Sequence, residues 1–89
     1  MPMNLYQVWD EDDDSAWVQA ESFEAAAKLV PAAAVVTDMF QEEAERVMIA
    51  EGEEDTINLW ALFERERSDG PKVLAWKRIL GLPARRPSS

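Results

Sequence analysis

Eighteen carboxylates, with no histidine and no cysteine, set the chemistry open to this 89-residue chain. The commonest general base and the strongest side-chain nucleophile are both missing. Serines stand at 15, 22, 68, 88 and 89, in stretches that read as turns, a cap and a tail, with no base to activate a hydroxyl. The three glycines, Gly52, Gly70 and Gly81, are too widely separated to form a phosphate-cradling loop. No carboxylate pair stands out as an acid–base couple, so the chain is not expected to be an enzyme.

Carboxylates can instead hold cations or meet cationic surfaces. The run Asp10, Glu11, Asp12, Asp13, Asp14 invites a calcium reading, because hard cations take carboxylate oxygens. The spacing fails: alternating ligands, a glycine at the sixth position and a distant bidentate glutamate are all missing. The run therefore reads as a solvated acidic turn. With no thiolates either, neither a metal nor another cofactor is expected. A second acidic turn (Glu51, Gly52, Glu53, Glu54, Asp55) and the acids Glu42, Glu43 and Glu45 extend the field, and Glu21 and Glu24 near the start of the first helix add to it. Carboxylates at this density on a rigid frame can imitate the phosphate rows that nucleic-acid-binding proteins are built to grip. A solubilising surface is the alternative reading of the same residues.

Net charge is −9, and its sign is divided along the chain. Residues 1–64 hold 16 acids against Lys28 and Arg46, whereas residues 65–89 hold two acids against seven bases. The first region repels nucleic acid and anionic membrane and attracts basic protein surfaces. The bases Arg65, Arg67, Lys72, Lys77, Arg78, Arg85 and Arg86 read as internal charge balance, which would place them beside the acidic turns or helix faces. Residues 1–5 lack the basic region and apolar run of a signal peptide, and no apolar stretch approaches the ~20 residues needed to span a bilayer. The expectation is a soluble, cytoplasmic chain.

These groups need a frame. Residues 5–9 and 16–20 read as two strands of a hairpin with the acidic run at its tip. Ser22 caps a helix whose stripe is Phe23, Ala26, Ala27 and Val30, and Pro31 kinks or breaks it. A second helix is expected from Thr37 or Asp38, with Phe40, Ala44, Val47 and Met48 on one face. Residues 46–50 fit either its last turns or a strand, with the strand preferred. Residues 56–65 read as a strand, 68–71 as a turn and 73–80 as a last strand. Residues 1–82 are thus one α+β domain, an antiparallel sheet of four or five strands with one kinked helix or two helices packed on one face, and 83–89 a disordered basic tail.

The tryptophans raise a separate question. Strand alternation sets Ile57, Leu59, Ala61 and Phe63 on one face of 56–65, with Trp60 and Leu62 on the other. In 73–80 it sets Val73, Ala75 and Ile79 against Leu74, Trp76 and Leu80. A half-exposed sheet alternates apolar with polar, but these strands are apolar on both sides. Strand twist, edge loops and long basic stems cover the second face, or else Trp60, Leu62, Leu74 and Trp76 form an interface for a homodimer or a target.

The segment Trp17-Val18-Gln19-Ala20-Glu21-Ser22-Phe23-Glu24-Ala25-Ala26 resembles the strand-into-helix junction of many short phage and prophage proteins. Ile49-Ala50-Glu51-Gly52-Glu53-Glu54-Asp55, leading into an apolar segment, is similar in the same way. The resemblance covers roughly 20 residues, and Pro31 with residues 32–36 departs from the short helix of such chains. It implies an accessory protein of a mobile element acting in the host bacterial cytoplasm, with anti-CRISPR inhibitors the first functional group to consider. Members of that group often act as stoichiometric binders, and some mimic DNA. The leading expectation is therefore an inhibitor whose acidic surface occupies the basic site of a nucleic-acid-binding protein or complex, such as a CRISPR effector, with no direct nucleic-acid or membrane contact. The alternative is a structural or assembly module that dimerises through its Trp-bearing sheet face.

Overall fold

The computed structural model describes residues 2–78 and 84–87. Strand β1, Asn4–Asp10, and strand β2, Ser15–Ala20, form the expected hairpin, with Asn4 opposite Ala20 and Trp9 opposite Ser15. Helix α1, Phe23–Lys28, starts where the sequence predicts. The Ser22 hydroxyl accepts the Ala25 amide, Glu24 lies in the first turn and Lys28 in the last, each matching the helix dipole. Leu29 ends the helix before Pro31, so the proline follows a break rather than a kink.

Beyond Pro31 the chain departs from expectation. Ala32 takes a left-handed φ of 54°, and strand β3, Ala33–Asp38, follows, antiparallel to β1. Val35, Val36 and Thr37 are β-branched and lose less as strand than as helix. The helix expected from Thr37 or Asp38 is corrected to a four-residue helix α2, Gln41–Ala44. Of its expected stripe only Ala44 is fully buried, while Phe40 is 67% and Met48 53% exposed. Strand β4, Met48–Ala50, matches the strand reading of residues 46–50.

The strand expected over 56–65 is corrected in most of its length. Strand β5 covers only Thr56–Asn58, and helix α3 takes Leu59–Glu66. Asn58 caps it, its Oδ1 accepting the Ala61 amide at 2.8 Å. Leu59, Leu62 and Phe63 then recur at helical spacing and are buried. A 3₁₀ turn, Arg67–Asp69, and Gly70 at φ 85° lead into strand β6, Lys72–Lys77. Ile79 and Leu80, expected in that strand, lie outside the described residues, as do 81–83. The disordered tail expected over 83–89 is corrected at Ala84–Arg85, which forms strand β7 parallel to β4. Residues 88 and 89 again lie outside the described residues.

The result is an α+β fold. The main antiparallel sheet has the order β3-β1-β2-β6, and the single pairing of Trp76 with Arg85 joins β6 to a smaller sheet, β7-β4-β5. Both faces of the main sheet are covered. On one face Tyr6, Val8, Ala16, Val18 and Ala20 pack under Ala26 and Val30 of the α1 region. On the other, Leu5, Trp17, Leu74 and Ala75 pack under Ala44, Ile49, Leu59, Leu62 and Phe63. The helical layer expected on one face is thus divided between two. A bulge reconciles β6 with this arrangement: Ala75 pairs with Trp17 and Val73 with Val18, leaving Leu74 as the extra residue. Leu74 and Ala75 therefore enter the same core, while Val73 and Trp76 join the α1 side. Gln19, fully buried, ties β2 to the end of α3 by donating Nε2 to the carbonyls of Glu66 and Gly70, each at 2.7 Å.

Candidate functional site

The hairpin tip is built around Asp10. Its Oδ1 accepts the amides of Asp12 at 2.9 Å and Asp14 at 3.0 Å, and its own amide donates to the Asp14 carbonyl. Asp13 sits at φ 64°, a conformation that Asp tolerates better than most residues. Asp10 is therefore a turn-forming residue, and Glu11, Asp12, Asp13 and Asp14 around it are exposed. Asp10, Asp14, Trp76, Lys77 and Arg78 line a shallow cavity of about 240 Å³ beside the tip.

Helix α2 presents Glu42 and Glu43 in its first turn and Glu45 just past its end, all exposed, with Ala44 as the buried anchor. Beside it a groove of about 470 Å³ runs between Met3, Met39, Phe40, Trp60, Phe63 and Arg67. In the β4–β5 connection the Glu51 amide donates to the Asp55 carbonyl, and Glu53, Glu54 and Asp55 are exposed.

Glu51 differs from its neighbours because cations reach it. Its carboxylate accepts a hydrogen bond from Arg65 and lies 3.5 Å from the Arg86 guanidinium. Arg86 donates to Glu66 at 2.7 Å, and Lys72 lies 3.4 Å from Glu66 and 3.3 Å from Asp69. The hydrogen bond from Arg65 lowers the Glu51 pKa below the usual carboxylate value; partial burial opposes it, and the charges of Arg65 and Arg86 add to it. Arg65 is raised for the reciprocal reason, led by the hydrogen bond to Glu51. Lys77 lies over the Trp17 ring and Arg67 over that of Phe63. Arg65, Lys72 and Arg86 thus stand beside the second acidic turn and α3, as the charge-balance reading expects.

The acidic groups do not form one array. Strands β2 and β4 run in the same direction, because β2 is antiparallel to β6, β6 to β7, and β7 is parallel to β4. The 10–14 loop precedes β2 and the 51–55 loop follows β4, so the two leave opposite ends of the strands. The apolar set also separates. Leu62 and Leu74 are buried in the core under α3 rather than lying on an open face. Trp60 is half-buried on α3, its ring 5.3 Å from that of Phe63, and Trp76 packs on the α1 side. The four do not share a surface, which corrects the expected interface. The physical reason is that residues 39–69 fold back over the second face.

The sequence reading gave no separate role to the Glu51–Arg65–Glu66–Arg86 cluster. Its signal was the alternation of charge over Glu64, Arg65, Glu66 and Arg67. Among the described residues no group of three or more acids comes together to hold a metal ion. Among the described residues no helix is long and apolar enough to cross a membrane. Comparison with known proteins finds no family model, curated protein or solved structure that matches this chain.

Proposed function

We propose that this protein is a stoichiometric binder that uses its acidic surface to occupy the basic, nucleic-acid-binding site of a partner protein or complex, in the manner of an anti-CRISPR inhibitor. One observation carries the reading. The ion pairs among the described residues use only Glu51, Glu66 and Asp69 as acids, leaving exposed Glu11, Asp12, Asp13, Asp14, Glu42, Glu43, Glu45, Glu53, Glu54 and Asp55 without a paired cation. A surface meant only for solubility works best with both signs interspersed. Here the ion-paired cations, Arg65, Lys72 and Arg86, are gathered at one cluster, and the acids named above face solvent. The buried positions of Leu62 and Leu74 take away the sheet face on which the dimerising assembly module depended.

The test is capture from a bacterial lysate on the immobilised protein, followed by identification of the retained complex. A basic nucleic-acid-binding complex should be retained, displaced by added duplex DNA, and bound at least ~10-fold more weakly when salt rises from about 0.05 to about 0.2 M. The free protein should not itself shift duplex DNA at ~0.15 M salt, where phosphates meet mostly carboxylates. Retention that ignores both salt and DNA would refute the proposal.

A further inference from the structure

We infer that the free edge of β3 docks an extended segment of the basic partner, which adds to the main sheet as its fifth strand. The inference rests on the proposed function for the sign of the partner's charge, and on the edge itself for the mode of contact. Strand β3 ends the strand order, and its outer side pairs with no strand among the described residues. One row of its backbone amides and carbonyls therefore faces away from β1. Proteins usually protect such an edge with lysine, proline, a bulge or an inward charge. Ala33, Ala34, Val35, Val36 and Thr37 carry neither charge nor proline, and the one register shift lies at the strand's start, opposite Trp9 and Asp10.

The side chains point the same way. Helix α1 covers one face of β3, and Val36 packs into the core beneath it. On the opposite face Val35 is 51% exposed and pairs directly with Trp9. Trp17, Trp60 and Trp76 each pack on a core, but half-buried Trp9 belongs to neither. A large aromatic beside an open, uncharged edge is the anchor that strand addition uses: backbone hydrogen bonds supply affinity and alternate side chains supply selectivity.

Charge selects the occupant. Acids 10–14 stand at the start of β3, where Ala33 pairs with Asp10, and Asp38, Glu42 and Glu43 stand at its end. Six residues at ~3.3 Å each put these poles about 20 Å apart. A compact cation cannot meet both poles, whereas an extended segment with Lys or Arg at each end and uncharged residues between does. A second copy of this chain is the poorer fit. An antiparallel β3–β3 pair would set Asp38 of each copy beside the 10–14 loop of the other, acid against acid.

The experiment titrates the full chain with a short fluorescent peptide of alternating Val and Thr bearing a Lys pair at each end. A control carries Pro in place of each Val, keeping the charge but unable to form a strand. The Val peptide should bind roughly 30-fold more tightly than the control and should slow amide exchange over residues 33–37. Val35→Lys and Trp9→Ser, each checked for an unchanged circular dichroism spectrum, should weaken it by a similar factor. Equal binding of the two peptides would overturn the edge inference and leave the acidic-surface proposal standing. Failure of both to bind at low salt would overturn the inference and remove the support that the carboxylates give the proposal. A doubling of mass with slowed 33–37 exchange in the absence of peptide would assign the edge to a second copy and refute the inference.

Discussion

Leu62→Ala separates an interior residue from a docking residue. Leu62 is fully buried on the inner side of α3, in one core with Leu59, Phe63, Leu74 and Ile49. Truncating such a leucine removes its transfer free energy and leaves a void, together about 2–5 kcal/mol. An 89-residue domain has roughly 4–13 kcal/mol in total, so the change removes a large share of it. With a urea slope of about 1 kcal/mol/M for a chain this small, the midpoint should fall by about 2 M or more at unchanged slope. The four tryptophans report the transition, Trp17 and Trp60 from the same core. A midpoint shift under about 0.5 M, accompanied by loss of self-association or of target binding, would refute the placement. It would mean that Leu62 faces solvent and that residues 39–69 do not close over the second sheet face.

Two further outcomes follow from local chemistry. Asn58→Ala should destabilise the protein by about 0.5–2 kcal/mol in the same urea assay, because the first turn of α3 loses the acceptor for the Ala61 amide. Asn58→Asp should retain most of that stability. The Glu51 pKa is lowered in the folded chain, so its ion pairs stabilise the fold above the unfolded carboxylate pKa and lose that effect as pH falls through the lower folded value. Glu51→Gln should therefore flatten the acid limb of a stability–pH curve, by no more than about 1 kcal/mol for a pair this exposed, and change nothing near neutrality beyond that constant offset. An acid limb identical in the two proteins would show that the Arg65–Glu51–Arg86 contacts contribute nothing in solution.

The parts of the fold that were legible in the sequence are those governed by local chemistry. The β1–β2 hairpin follows from alternation around an acidic turn, and α1 follows from Ser22 as cap and Pro31 as stop. The segment 56–65 shows how two periods can compete. Ile57, Leu59, Ala61 and Phe63 satisfy a strand period, while Leu59, Leu62 and Phe63 satisfy a helical one. Asn58 decides it by capping, and the absence of β-branched residues from 59–66 agrees. β3 was hidden by the run of alanines before it, which are good helix formers until Pro31 intervenes. The coverage of both sheet faces depends on a bulge at Leu74 and on long-range packing, neither of which periodicity can reveal. The acidic residues were legible individually, but their division between opposite ends of the strands required the register.

That division bears on what the carboxylates do in the free protein. Like charges left unpaired on a small domain repel one another and lower its stability. Among the described residues, ion pairs relieve this where Arg65, Arg86 and Lys72 gather around Glu51, Glu66 and Asp69. Arg86, which directly follows the short β7 strand, also ties it to the rest of the molecule through Glu51 and Glu66. Ion pairing among the described residues thus serves the fold where a two-residue strand needs it and leaves the acids of the hairpin tip, α2 and Glu53–Asp55 exposed. Salt must then act in opposite senses on the two states of the protein. It screens the self-repulsion of the free chain and stabilises it, while it screens the attraction to a basic partner and loosens the complex. A carboxylate surface kept only for solubility would produce the first effect without the second, so the pair of responses, rather than either alone, distinguishes a binding surface from a solubilising one.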